Sequence, residues 1–399
     1  MLSERKKKTQ GCRPGDSMIY VVIFVLAALA LFEFFLSGKK ISPSLVMLCI
    51  WAVSLTACSF YENDVGDISG ETLLWILLGN AAFFVGGFLG RIIFRNNARN
   101  YDSGQVSLSF LLPIYAISAV LMYQMYLSGL SESSNWYVGM RTIINYGEPN
   151  IYFKLFGYVY YILYPALYIS AASYYRNPTK RGARSFWSLL FFCMLYAAFS
   201  TAKIKILLVI IPVFFIRSYF RASSTKLIIF LGLIILSAMY LSLLLLNKIN
   251  GDGNFTDLLL TNIGNYTFAN IFSFDSLNFN TLPDLECYDA SGCQLLPFYE
   301  GGPFRTNVYT LMYWFIDYGV IGFSAFCMFI GMIHNGVHNV ARLTKNTMFV
   351  ISSSVLYFPL IFQIMDDQYT SSKYLLWIYA FTLVILLSMR TKFFVKTAP

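Results

Sequence analysis

Apolar runs of about twenty residues recur along almost the whole chain, and no other feature restricts its fold so sharply. A hydrocarbon layer roughly 30 Å thick is crossed by about 20 residues rising 1.5 Å each, so these runs read as transmembrane helices. We place about eleven (10–12) of them, at Met18–Leu36, Ile41–Phe60, Thr72–Phe94, Val106–Leu127, Ile151–Tyr174, Ser185–Phe199, Ile204–Phe220, Lys226–Leu246, Asn307–Ile333, Thr347–Met365 and Tyr374–Met389. Charged residues make up 12% of the chain, against roughly 25% in an ordinary soluble domain. The expected class is therefore an all-α polytopic integral membrane protein, one transmembrane domain over residues 1–399, with no room for a separate soluble domain.

A net charge of +9 would suggest nucleic acid in a soluble protein. Here the basic residues gather in short connections, at Lys39–Lys40, Arg95–Arg99, Arg176–Arg184, Arg217–Lys226, Arg342–Lys345 and Arg390–Lys396, as the positive-inside rule asks of cytoplasmic loops. The charge is thus a topology signal, and no nucleic-acid partner is expected. The alternate connections, Tyr61–Glu71, Ser128–Asn150, Ser200–Lys203, Asn247–Thr306 and Asp366–Lys373, face outward on this reading. An odd span count puts the basic Arg5–Lys8 outside, against the same rule, so either that tail crosses or the count is off by one. Met1–Ser17 is polar and basic without a cleavage site, and the first apolar run is expected to remain in the mature protein.

The longest connection, residues 247–306, carries seven acidic and two basic side chains over sixty residues. It is too polar to span and too long for a turn, and is expected to be a large periplasmic functional loop. Cys287 and Cys293 lie within it around Asp289 and Gly292, and a disulfide closing a small ring suits an oxidising compartment. The loop has no histidine to complete a zinc site with them, and no metal is expected. Neither a tandem repeat nor two matched halves is visible, which counts against many transporter architectures.

Ionisable residues in or beside spans cost roughly 2.5–3.5 kcal/mol each when central, so each needs a reason. Arg91 and Lys154 can snorkel, and Glu33 lies near Lys39–Lys40. His334 and His338 read as a solvated helix end beside Arg342. Asp317 is too deep and too short to reach an interface and must pair or line a cavity. Lys203 and Lys205 open a span on its outward side, where topology does not ask for positive charge; two residues apart on a helix, they point to nearly opposite faces. Lys203, beside Ser200, Thr201 and Ala202, is the one placed to meet a ligand with exposed main-chain amides. Arg141 and Arg305 add outward guanidinium groups, and together with Lys203 they suit the grip of a diphosphate.

Residues 302–310, Gly-Pro-Phe-Arg-Thr-Asn-Val-Tyr-Thr, followed by Asp317-Tyr318-Gly319, resemble segments of the Wzy-type O-antigen or oligosaccharide-repeat-unit polymerases. Ser42–Pro43 leading into Trp51, and Ser200-Thr201-Ala202-Lys203 entering an apolar helix, are similar to further segments, with Lys203 where that family usually has arginine. The resemblance implies a membrane glycosyltransferase at the periplasmic face of a bacterial inner membrane. It would transfer a growing glycan from undecaprenyl diphosphate to the non-reducing end of another lipid-linked repeat unit, without cofactor or metal. Arg141, Lys203 and Arg305 would stabilise the leaving diphosphate, with Glu300 or Asp317 as base. Thr306, Asn307, Tyr309 and Lys205 would bind substrate, in this case an undecaprenyl-diphosphate-linked oligosaccharide in the bilayer. A chain-length regulator is the protein partner such an enzyme would have. A lipid-linked oligosaccharide flippase and an O-antigen ligase are the competing readings.

Overall fold

A computed structural model describes residues 14–61, 65–94, 105–106, 108–147, 150–221, 237, 261, 263–265, 267–276, 299–306, 310–311, 318–365, 368–369, 378–382, 384 and 394–395. Every long element among them is helical. They are α1 (Pro14–Leu36), α2 (Pro43–Ser59), α3 (Gly70–Ile93), α4 (Leu108–Glu132), α5 (Trp136–Tyr146), α6 (Ile151–Arg176), α7 (Lys180–Phe199), α8 (Lys203–Phe220), α9 (Ala269–Asp275), α10 (Gly319–Thr344) and α11 (Thr347–Phe362). Four short strands accompany them: β1 (Gln105–Val106), β2 (Tyr299–Gly301), β3 (Phe304–Thr306) and β4 (Phe394–Val395), with β1 antiparallel to β4 and β2 to β3.

Among the described residues, six helices are long and apolar enough to cross a membrane: Met18–Leu36 within α1, α3, Leu111–Glu132 within α4, α6, α7 and α10; α2 and α11 are shorter apolar helices. Large apolar side chains stay exposed on them, Phe24 at 73% and Ile321 at 86%. In water such surface would be driven together, whereas lipid tails solvate it, so the molecule is an all-α membrane protein. Asp317, Asn307, Tyr309, Cys287 and Cys293 lie outside the described residues, as does the eighth expected span apart from residue 237.

The chain forms two compact units, Met1–Gly90 with Leu260–Asn335 and Leu360–Asp367, and Arg91–Leu259 with Gly336–Pro359 and Gln368–Pro399. In the first unit, α1 and α2 make a helical hairpin. Gly38 and Lys39 both take positive φ, and Lys39 N–H bonds back to the Phe34 carbonyl, closing α1. Ser42 then caps α2 by accepting from the Leu45 N–H, with Pro43 in the first turn, as a Ser-Pro pair favours. The Ser42 hydroxyl donates to the carboxyl group of Glu33, which is 1% exposed, tying the end of α1 to the start of α2.

In the same unit α3 meets α10 backbone to backbone. A Cβ on Gly86 or Gly90 would collide with the main-chain carbonyls of Met328 and Met332, and one on Gly331 with that of Phe83. Small residues one helical turn apart allow this approach, which gives membrane helices dispersion contact in the absence of a hydrophobic drive. Asn335, fully buried, donates to Ser44 Oγ and to the Gly331 carbonyl, both at 3.0 Å, and joins α2 to the pair. His334 is likewise buried, 2% exposed against the Phe83 ring, which corrects the solvated helix end expected there. The reason is that α10 continues to Thr344, about ten residues past His334, so the histidine lies well inside the helix.

In the second unit α6, α7 and α8 pack against one another. Buried tyrosines stitch them: Tyr164 and Tyr168 on α6 donate to the Lys205 and Leu208 carbonyls of α8, and Tyr196 on α7 donates to the Phe156 carbonyl of α6. His338 is hydrogen-bonded to the Tyr219 hydroxyl at 2.6 Å, and that hydroxyl also meets Ser353 Oγ at 2.6 Å, so this histidine too belongs to packed structure.

Candidate functional site

Arg141 sits on α5, a helix absent from the expected loop 128–150. Asn135 caps it by accepting from the Tyr137 and Val138 N–H groups. Gly139 lies so close to Gly129 that a Cβ would strike its carbonyl, which lays α5 along the end of α4. Trp136 adds a ring contact to Phe199 at 5.3 Å. Tyr137 and Met140 are buried and Arg141 is half-buried beside them. Burial pushes the Tyr137 phenol above its ordinary value, and the neighbouring Arg141 charge pulls it part of the way back.

The Arg141 guanidinium reaches the turn between α7 and α8, where its Nη1 donates to the Thr201 carbonyl at 3.3 Å. That turn is tight. Thr201 is buried and holds a φ of +54°, and the Ser200 hydroxyl donates to the Ala197 carbonyl at 2.6 Å. A β-branched residue in the left-handed region is strained, and such strain concentrates at binding and switching sites. Lys203 begins α8 immediately after, with Ala202 at the cap position supplying no side-chain bond. The structure therefore brings together Arg141 and the segment carrying Lys203, sixty residues apart in sequence.

Below this turn lies a cavity of about 390 Å³, within the range of small-molecule sites. The N-terminal half of α6, the end of α7 and the start of α8 line it, through Phe156, Tyr160, Tyr164, Tyr196, Ser200 and Lys205, with Lys154 and Tyr158 at its margin. The Lys205 ammonium stands 3.7 Å from the centroid of the Tyr160 ring, a cation–π pair. Tyr196 and Phe156 stack at 3.9 Å. The two span-opening lysines thus have distinct places, Lys203 at the turn and Lys205 one half-turn on, against the aromatic wall.

The remaining described site residues belong to the other unit, on the β2–β3 hairpin. Gly302 takes a φ of +54° at the first turn position, as a two-residue hairpin of the II′ kind requires, with Pro303 following. Phe304 is buried edge-on against Tyr61 at 4.9 Å and Phe268 at 5.1 Å. Thr306 is buried and donates to Asn270 Oδ1 at 3.2 Å, while Asn270 donates to the Ile364 carbonyl. Thr306 accordingly holds the hairpin to α9. Glu300 and Arg305 face each other across the strands and pair at 2.9 Å, both largely exposed, and the Arg305 N–H bonds to Asn265 Oδ1 at 3.0 Å.

Among the described residues, no group of three or more His, Cys, Asp or Glu is placed to hold a metal ion. Sequence reasoning missed α5 and the tyrosine wall. The first was signalled by Asn135 and the apolar spacing of Tyr137, Met140 and Ile144, the second by Tyr158, Tyr160, Tyr161, Tyr164 and Tyr168 downstream of Lys154. Compared with known proteins, the chain matches no family model, no curated protein and no solved structure.

Proposed function

We propose that the protein is a polymerase of lipid-linked oligosaccharide repeat units in a bacterial inner membrane, with about eleven spans and a site on the periplasmic side. The observation that carries this reading is the bond from Arg141 to the Thr201 carbonyl, which draws an arginine of one connection onto the helix start bearing Lys203. An arginine there suits a substrate whose leaving group is a diphosphate.

In the proposed reaction a hydroxyl at the non-reducing end of one repeat unit attacks the anomeric carbon of the glycan held on undecaprenyl diphosphate. The new glycosidic bond forms as the anomeric carbon–oxygen bond to the diphosphate breaks. The hydroxyl proton passes to a carboxylate, and undecaprenyl diphosphate departs with the bonding pair. Arg141 and Lys203 stabilise the negative charge that grows on the diphosphate. The bilayer holds both lipid tails, a chain-length regulator sets product size, and neither cofactor nor metal takes part.

Lipopolysaccharide banding on gels tests the reading, in a deletion strain complemented with wild type, Arg141→Ala or Lys203→Ala at matched membrane levels. Core plus a single repeat in the deletion strain, with the ladder restored by wild type alone, is the expected result. Absence of any capped core would indicate a ligase or flippase instead, and an unchanged ladder in the deletion strain would reject the proposal.

A further inference from the structure

The aromatic cavity of the second unit combines three properties that a structural void would not need. Its wall carries ammonium groups, since Lys205 lines it and the exposed Lys154 stands at its margin. Its faces are electron-rich rings, Tyr160, Tyr161 and Tyr158 among them, and such faces attract the electropositive C–H edges of a pyranose as they attract cations. Its mouth lies on an exposed side of α6, a helix long and apolar enough to cross a membrane. Tyr158 is 65% exposed, and Gly157 beside it leaves open space where a Cβ would have no neighbour within 4 Å.

An exposed apolar stripe runs past that mouth along α6, through Ile151, Leu155, Tyr158 and Ile162. The spacing of four, three and four residues puts them on one helical face. An amphiphile whose tail lies along this stripe would present its head at Tyr158, beside Lys154 and a short distance from Lys205. A free anion would have no use for the stripe, and a neutral lipid would have none for the lysines.

We propose that this cavity binds the phosphate and first sugar of a lipid-linked saccharide entering sideways from the bilayer, with Lys205 and Lys154 on the phosphate and the tyrosine faces on the sugar. The choice of a saccharide-bearing lipid rests on the polymerase reading; the cavity, its lysines and the exposed apolar stripe beside it do not. The site adds a membrane-side entry to the cations of the α7–α8 turn.

Native mass spectrometry of the purified full-length protein tests it, with three probes: undecaprenyl diphosphate carrying one N-acetylglucosamine, phosphatidylglycerol and inorganic diphosphate. The sugar lipid is expected to bind wild type, and Lys205→Ala to weaken it about tenfold, while Lys205→Arg stays close to wild type. Gly157→Leu is the companion variant, since it replaces a helix-disfavoured residue and extends a side chain into the open space at the mouth. It is expected to weaken binding by a similar factor with the protein fully folded. Unchanged binding in both weakening variants overturns the site. Phosphatidylglycerol binding as tightly as the sugar lipid overturns the saccharide assignment, and inorganic diphosphate displacing the lipid at equal concentration overturns lateral entry. The gel ladder separates the two proposals. Unchanged binding in variants that still support a wild-type ladder removes the cavity alone, whereas weakened binding in a protein that never makes polymer removes the polymerase reading alone.

Discussion

The Arg141 guanidinium donates to the main-chain carbonyl of Thr201 at 3.3 Å, so a charged side chain of α5 is fixed to the turn from which α8 starts. A guanidinium carries five N–H donors, of which this contact uses one. Arg141→Ala is expected to lower polymer formation by about 100-fold, as loss of one charge-stabilising donor commonly does. Arg141→Lys should retain a small part of the activity, because the charge stays but the planar fork is lost. Ladder intensity at matched membrane levels checks both, and an Arg141→Ala ladder equal to wild type would remove the residue from the site.

Thr201 predicts a gain. Its φ of +54° is comfortable only for glycine, and holding a non-glycine residue in so sparsely populated a conformation costs about 1–3 kcal/mol. Thr201→Gly should raise the thermal midpoint of the purified protein while keeping the carbonyl that Arg141 uses. A fall in the midpoint would mean that the Thr201 side chain, buried at 4% exposure, contributes more packing than the strain costs.

The α3–α10 contact predicts a loss. Leucine at position 86 would press on the Met328 carbonyl, and main-chain atoms of a packed helix have little room to give. Gly86→Leu is expected to destabilise by at least about 1–3 kcal/mol and to deplete folded protein from membranes. Gly157→Leu, with no neighbour within 4 Å of its Cβ, should accumulate normally and serves as the control. Immunoblots of membrane fractions read the comparison.

Glu33 predicts a graded series. Its buried carboxyl group accepts from Ser42, so Glu33→Gln keeps an acceptor of the same shape and is expected to be mild. Glu33→Ala leaves the Ser42 hydroxyl without that partner and adds a void, costing about 1–3 kcal/mol. Thermal midpoints of the two variants should fall in that order, and equal values would show the bond to be dispensable.

How far the sequence could be read depended on the range of the interaction. Membrane-spanning character was legible in α1, α3, α6 and α7 because transfer into lipid sums over neighbouring residues, and a window of about 20 captures it. Helix α10 extended further than the apolar pattern suggested, because His334, Asn335, His338 and Asn339 lower the hydropathy of a segment whose polar groups are satisfied by packing. Helix α5, of eleven residues, fell below the length that hydropathy detects.

The sequence by itself determined that the chain lives in a bilayer as helices, and which residues are charged where charge is costly. Only the tertiary structure decided what those charges meet. It gave Lys205 the face of Tyr160, Arg141 the carbonyl of Thr201, Arg305 the carboxylate of Glu300 and Thr306 the side chain of Asn270. Three of these four partnerships join residues at least 36 apart along the chain. Burial is a property of composition over a turn or two of helix, whereas a hydrogen bond or ring contact requires two groups to arrive within about 4 Å, and that depends on how separate helices pack.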